Sequence, residues 1–153
     1  MLTPPKNRTS GLIALAAMLT LASCAGGPGG KAYTGPTSLP EIRNSNGLGP
    51  LSADSGLEKA AAIQAQNMAR ADTMNHTTDG GAFAERMKSV ETNGGAAENI
   101  AYGAFGTDEL FRRWMDSPPH RRNILNPAFT RYGLASAPDK TGKRRYWALV
   151  LAR

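Results

Sequence analysis

The chain holds two histidines, His76 and His120, and an acidic residue, Glu98, midway between them at 22 positions from each (98 − 76 and 120 − 98). Two imidazoles and one carboxylate make a donor set for a divalent metal with an open position for water. The same three groups suit general acid–base chemistry without a metal. Intervals this long carry no local ligand geometry, so the fold must decide. Each residue also has an architectural reading. His76 can cap the last carbonyls of a preceding helix. Glu98 can be a partly buried acid bonded to backbone donors. Asn99 can serve a local turn. Ser117 suits a helix cap better than a nucleophile, because it lacks the strand–turn–helix glycine setting of a nucleophile elbow.

The elements that must position these residues are written in periodicity and punctuation. Ser117 followed by Pro118 predicts a helix start with proline in the first helical position, so the preceding helix must end there. His120 then falls in the first turn of a short helix that Pro127 stops, with Arg121 and Asn123 locking the corner by hydrogen bonds. Thr107 is placed to cap the helix before it, whose apolar face is Leu110, Phe111, Trp114 and Met115. Upstream, Ser38-x-x-Glu41 and Ser55-x-x-Glu58 have the spacing of capping boxes. A first short helix closes at Gly47, and a long one runs from Ser55 to Met74 with Leu57, Ala61, Ala65, Met68 and Ala69 at helical spacing. A third helix covers Ala82 to Val90. Strands are expected over Tyr132–Ala137 and Tyr146–Leu151, joined by the turn Pro138-Asp139-Lys140-Thr141-Gly142. Trp114, Trp147 and Tyr146 read as core. Helices first and an antiparallel pair last make an α+β layered domain.

The first residues read as an address. Lys6 and Arg8 precede the apolar run Gly11 to Ala22, too short to span a membrane comfortably and suited to a signal-peptide core. It ends in Leu21-Ala22-Ser23-Cys24, which resembles a bacterial lipobox with cleavage before a lipidated cysteine. Cys24 is the only cysteine, so no intramolecular disulfide forms. The expected organisation is a lipoprotein signal peptide over 1–23, a Gly- and Pro-rich flexible tether over 24–37, and one domain over 38–153. Ala25 follows the cysteine where an Asp would mark inner-membrane retention, which favours an outer membrane, facing the periplasm, in a two-membraned source. The formal net charge is +6. Ten Lys and Arg against three Asp and Glu lie from Glu109 onward, and six against nine lie from Cys24 to Asp108. That basic half could face anionic lipid or another envelope polyanion, or simply water. No nucleic-acid-binding module is present, and no nucleic-acid partner is expected.

Asn75-His76, then Ala97-Glu98-Asn99-Ile100-Ala101-Tyr102-Gly103, then Trp114-x-x-Ser117-Pro118-x-His120-Arg121-x-Asn123-Ile124-Leu125-Asn126-Pro127 resemble the CAP superfamily. That group joins the cysteine-rich secretory proteins, antigen 5 and the pathogenesis-related 1 proteins; the likeness is to its bacterial, cysteine-poor (SCP-like) branch. The Gly47-Leu48-x-Pro50-Leu51 entry and the closing Tyr146-Trp147-Ala148-Leu149 strand fit as well. The resemblance covers about Leu39 to Arg153. It implies a three-layer α-β-α sandwich around a small antiparallel sheet, and a cleft lined by His76, His120 and Glu98. A divalent metal, Zn or Ca, is the cofactor it implies. In eukaryotic members a second glutamate follows the helix tryptophan by three positions; here that place is Ser117, with Asp116 one position early. Pro119 replaces the glycine common in the bacterial motif.

Three functions compete. The first is an envelope-anchored module that binds a lipid, peptidoglycan or another anionic envelope ligand. The second is a metal-assisted hydrolase of peptide or envelope polymer using His76, Glu98 and His120. The third is a structural lipoprotein. Binding is favoured, since a nucleophile and the second glutamate are both missing. The anchor has a direct test. Cys24→Ala abolishes incorporation of labelled fatty acid, and labelling retained in the variant would contradict the lipobox.

Overall fold

A computed structural model describes residues 32–78, 81–92 and 94–153. The signal segment and Cys24 lie outside these residues. Helices α1 (Leu39–Ser45), α2 (Ser55–Ala71), α3 (Phe83–Met87), α4 (Thr107–Asp116) and α5 (Pro118–Ile124) surround strands β1 (Ser52–Ala53), β2 (Ala96–Gly103), β3 (Arg131–Pro138) and β4 (Arg145–Ala152). The sheet order is β1-β3-β4-β2. Among the described residues no helix is long and apolar enough to cross a membrane.

Strand β4 explains the layering. Side chains alternate across a strand, and seven of its eight residues are buried. Tyr146, Ala148, Val150 and Ala152 pack with Leu57, Ala61 and Met68 of α2 and Met87 of α3. Trp147, Leu149 and Leu151 pack with Ile42 of α1, Trp114 and Met115 of α4 and Ile124 of α5. Both faces of the central strand are therefore covered, one by α2 and α3 and the other by α1, α4 and α5. Each fully buried aliphatic side chain contributes roughly 1.5–3 kcal/mol relative to exposure. The three-layer α+β expectation holds.

Close approach of α2 to the sheet depends on Gly133 in β3. A Cβ there would lie 2.1 Å from the backbone nitrogen of Glu58 and 2.2 Å from the carbonyl carbon of Leu57. No side chain fits between the first turn of α2 and β3.

Several local expectations are corrected. Strand β2 was not foreseen; it pairs antiparallel with β4 from Ala96↔Ala152 to Gly103↔Arg145. The segment Ser52–Ala53 pairs parallel with Arg131 and Tyr132, so the sheet is not wholly antiparallel. Asp54, not Ser55, caps α2: its carboxylate accepts from the Leu57 N–H at 3.0 Å. A carboxylate one residue earlier reaches that donor and displaces Ser55 into the helix. Helix α2 ends at Ala71, with Asp72 as left-handed cap at φ 52°, and α3 is shorter than expected. Thr107 is the first helical residue of α4 rather than its cap, which is Gly106. The Ser38 hydroxyl donates to the Glu41 carboxylate at 2.7 Å without bonding the helix backbone. Before the domain proper, Tyr33 packs against the α1/α4/α5 core, and its N–H donates to the Asp116 carboxylate.

Candidate functional site

Strand β2 carries Glu98 and Asn99 next to each other, so their side chains leave on opposite faces. It is an edge strand. Segments from both layers reach around it, and the two histidines arrive from opposite sides.

On the α2/α3 side, the chain after α2 is tied down before His76. Buried Gln64 donates from Nε2 to the Asn75 carbonyl at 2.6 Å, and the Thr78 hydroxyl donates to Gln64 Oε1 at 3.4 Å. Asn75 Oδ1 accepts from the Thr77 N–H at 3.0 Å, an Asx turn. His76 therefore does not cap α2. Its Nδ1–H donates to Glu98 Oε1 at 2.8 Å, which leaves Nε2 as the free acceptor of the neutral ring.

Arg86 of α3 holds Glu98. Its Nη2 donates to both carboxylate oxygens, at 2.9 and 2.7 Å. The side chains are 3% and 2% exposed, against 52% for His76. The same guanidinium donates from Nη1 to the carbonyls of Gly81 at 2.8 Å and His76 at 3.2 Å. One arginine thus fixes the carboxylate and the main chain of the histidine bonded to it. Glu98 is a buried acid, as one architectural reading expected, but its donors are a guanidinium and an imidazole rather than backbone N–H groups.

On the other side, Ser117 adopts an extended conformation (φ −88°, ψ 114°) that ends α4 and starts α5 with Pro118. Its hydroxyl makes no capping bond. The corner is held by Arg121, whose Nη1 donates to the Met115 carbonyl at 2.7 Å. Asn123 Nδ2 donates to Asn99 Oδ1 at 2.8 Å, and Asn99 Nδ2 donates to the His120 carbonyl at 3.1 Å. Asn99 is thus a clamp between sheet and helix, not a turn residue. Trp114 is buried and donates from Nε1 to the Ile100 carbonyl at 3.2 Å. His120 lies beside it, with ring centroids 6.4 Å apart, and its Nδ1 is buried with no partner among the described residues. Helix α5 ends at Ile124, ahead of Pro127.

Arg86 was missed in the sequence because charged positions on a short helix read as solvated. The available signal was indirect: a buried glutamate needs a cation, and Arg86 is the arginine of the helix that precedes β2.

The arrangement does not fit a divalent cation. Among the described residues no group of three His, Cys, Asp or Glu side chains could hold one. Both Glu98 oxygens are engaged by a guanidinium, and its fixed positive charge would oppose a second cation on that carboxylate. At Ser117 there is a hydroxyl in place of a carboxylate. The structure brings His76 and Glu98 into contact, and couples His120 to His76 through charge.

That coupling has a direction. Burial, and then the neighbouring His76, hold the His120 imidazole below its ordinary titration range. As pH falls below about 6.5 the unfolded chain takes up this proton while the folded chain resists it. Stability then declines toward acid on account of His120 and is indifferent to it above that range. In imidazole proton NMR, His120 titrates with a midpoint below about 6.5, and His76→Gln moves that midpoint upward. A midpoint at or above the ordinary value would contradict this environment.

Comparison with known proteins agrees with this architecture. The sequence profile of the cysteine-rich secretory protein (CAP) family matches residues 39–151. The Bacillus subtilis protein YkwD is 40% identical over 95 residues, covering 60% of this chain and 37% of that protein. The chain therefore spans little more than a third of that relative. An outer surface protein of Borrelia burgdorferi superposes with a TM-score of 0.68 at 21% identity, covering 75% of this chain and 86% of the other. An extracellular SCP-domain protein of Bacillus anthracis gives 0.65 at 24% identity, covering 75% and 37%. With the family profile spanning all nine elements but the last residue of β4, and the His76–Glu98 and Asn99–His120 pairings in place, the chain belongs to the CAP family.

Proposed function

We propose that this CAP domain is a non-catalytic binding module of the bacterial envelope, with the exposed edge of the His76 imidazole as a contact for its ligand. The observation that carries this reading is the state of Glu98. Its carboxylate is 2% exposed and both its oxygens are taken by Arg86. A general base needs a free oxygen within reach of the proton it abstracts, and Glu98 offers none. The group left to meet a ligand is His76, half exposed and held in one orientation by a rigid partner. Such preorganisation lowers the ordering cost of binding. Supporting the location are the lipobox at Cys24, the extracellular description of the Bacillus anthracis protein and the outer-surface description of the Borrelia burgdorferi protein.

One observation favours a second reading, hydrolysis. A buried carboxylate bonded to His Nδ1 is the arrangement that orients an imidazole as a base. Against it, Ser117, the hydroxyl at the nearby corner, serves a helix junction, and no step through a metal is available.

The test is thermal unfolding of the protein with peptidoglycan fragments and with phospholipid micelles, alongside analysis of the fragments for cleavage. A ligand at 100 times its Kd stabilises by about 2.7 kcal/mol. We expect a rise in Tm with one of these ligands, lost in His76→Ala, and fragments recovered intact. Cleaved fragments, or a rise that persists in His76→Ala, would overturn the assignment.

A further inference from the structure

The cation that this fold buries on its other side has no carboxylate. Arg43 of α1 is buried. Its Nε donates to the Gly49 carbonyl at 2.8 Å, Nη1 to the carbonyls of Ile124 and Asn126 at 2.9 and 3.0 Å, and Nη2 to that of Phe129 at 3.3 Å. Among the described residues no acid pairs with it. Carbonyl dipoles satisfy its protons but carry no net charge, so a full positive charge remains beneath the loop that follows α5.

That loop is one wall of an open groove of about 570 Å³, whose other wall carries Arg121 and Arg122, with Leu125 and Pro127 supplying apolar surface. Both arginines are exposed. From Ser117 to Pro138 there is no Asp or Glu at all. Arg121 spends one nitrogen on the Met115 carbonyl, and the Arg122 side chain has no hydrogen bond or ion pair among the described residues. Two surface guanidiniums and a buried third, with no acid in the surrounding segment, favour an anion. Arg112 and Arg113 of α4 differ, since both face Glu109 within 4 Å.

The start of the domain identifies the source of the anion. Tyr33 is fastened to Asp116, the residue next to the Met115 carbonyl that Arg121 caps. Cys24 lies nine positions before Tyr33 (33 − 24). An extended chain covers at most about 3.3–3.6 Å per residue, so a lipid on Cys24 is at most about 30 Å from the α4–α5 corner. We infer that the groove between Arg121–Arg122 and the Asn126–Pro127 loop, charged from beneath by Arg43, is the surface by which the domain docks on the anionic phospholipid headgroups of its own membrane.

The inference rests on the envelope reading and takes the nearness of the membrane from Cys24; the experiment removes the lipid, so that the groove is tested apart from the anchor. The full chain carrying Cys24→Ala is partitioned into phosphatidylcholine vesicles with and without phosphatidylglycerol, at fixed ionic strength. Comparing the ratio of the two partition coefficients between variants cancels the contribution of the N-terminal segment, Lys6 and Arg8 included, which they all share. An arginine at an anionic surface adds roughly fivefold to affinity, so Arg122→Gln lowers the ratio by about that factor with the melting temperature unchanged. Lys143→Gln makes the same charge change in the turn between β3 and β4, outside the residues that line the groove, and lowers it by much less. An equal loss in both variants would mean diffuse basicity, and no loss in Arg122→Gln would mean that the groove is not the contact. Millimolar inorganic phosphate abolishing the preference would assign the groove to a free anion. Any of these three results overturns the inference.

Discussion

A guanidinium and a carboxylate buried together must satisfy each other, because neither can be left alone out of water. Arg86 and Glu98 are in that position, and the site is arranged around them. The Coulombic gain of such a pair is largely offset by desolvation, so its value lies less in net stability than in the geometry it imposes. Arg86 uses Nη1 on the Gly81 and His76 carbonyls, and Glu98 Oε1 also meets the His76 ring. The two terminal nitrogens of this one cation fix the main chain at His76 and Gly81 and both oxygens of Glu98.

The edge position of β2 turns this local lock into a two-sided site. Glu98 collects the α2/α3 layer, and Asn99, one residue on, collects α5 through the His120 carbonyl and Asn123. The Trp114 indole closes the same edge by bonding the Ile100 carbonyl. Two histidines from different layers are thereby held near enough for His76 to depress the titration of His120. A strand in the middle of the sheet could gather both layers with its side chains but could not offer a carbonyl to Trp114, because both its flanks would be occupied by neighbouring strands. The Trp114 bond occupies one carbonyl of an edge that would otherwise invite pairing with another chain.

Much of this was legible in the residues. The Ser117-Pro118 corner, the placement of His120 in the first turn after it, the apolar face of α4 and the two C-terminal strands follow from proline stereochemistry and periodicity. His76 and Glu98 could be named, and they meet. What was not legible depended on distant partners. Ala96–Gly103 has four alanines and glycines and no strong alternation, so its strand character comes from pairing with β4. Two-residue β1 exists only because β3 lies beside it. Asp54 outcompetes Ser55 as cap, and it is also paired with Arg131 at 2.7 Å, a contact 77 positions away. Arg86 has the sequence of a surface residue and the environment of a core one; only the need of Glu98 for a cation hints at it.

The central claim is that Arg86 and Glu98 act as one unit that sets the site, and a double-mutant cycle tests it most directly. Arg86→Met and Glu98→Gln are compared singly and together by denaturant unfolding. Removing either partner leaves the other buried and uncompensated, at a cost of about 3–5 kcal/mol. If the two are one unit, the double variant loses no more than the worse single variant, because the second substitution removes the stranded group. Losses that simply add in the double variant would show two independent residues and contradict the account.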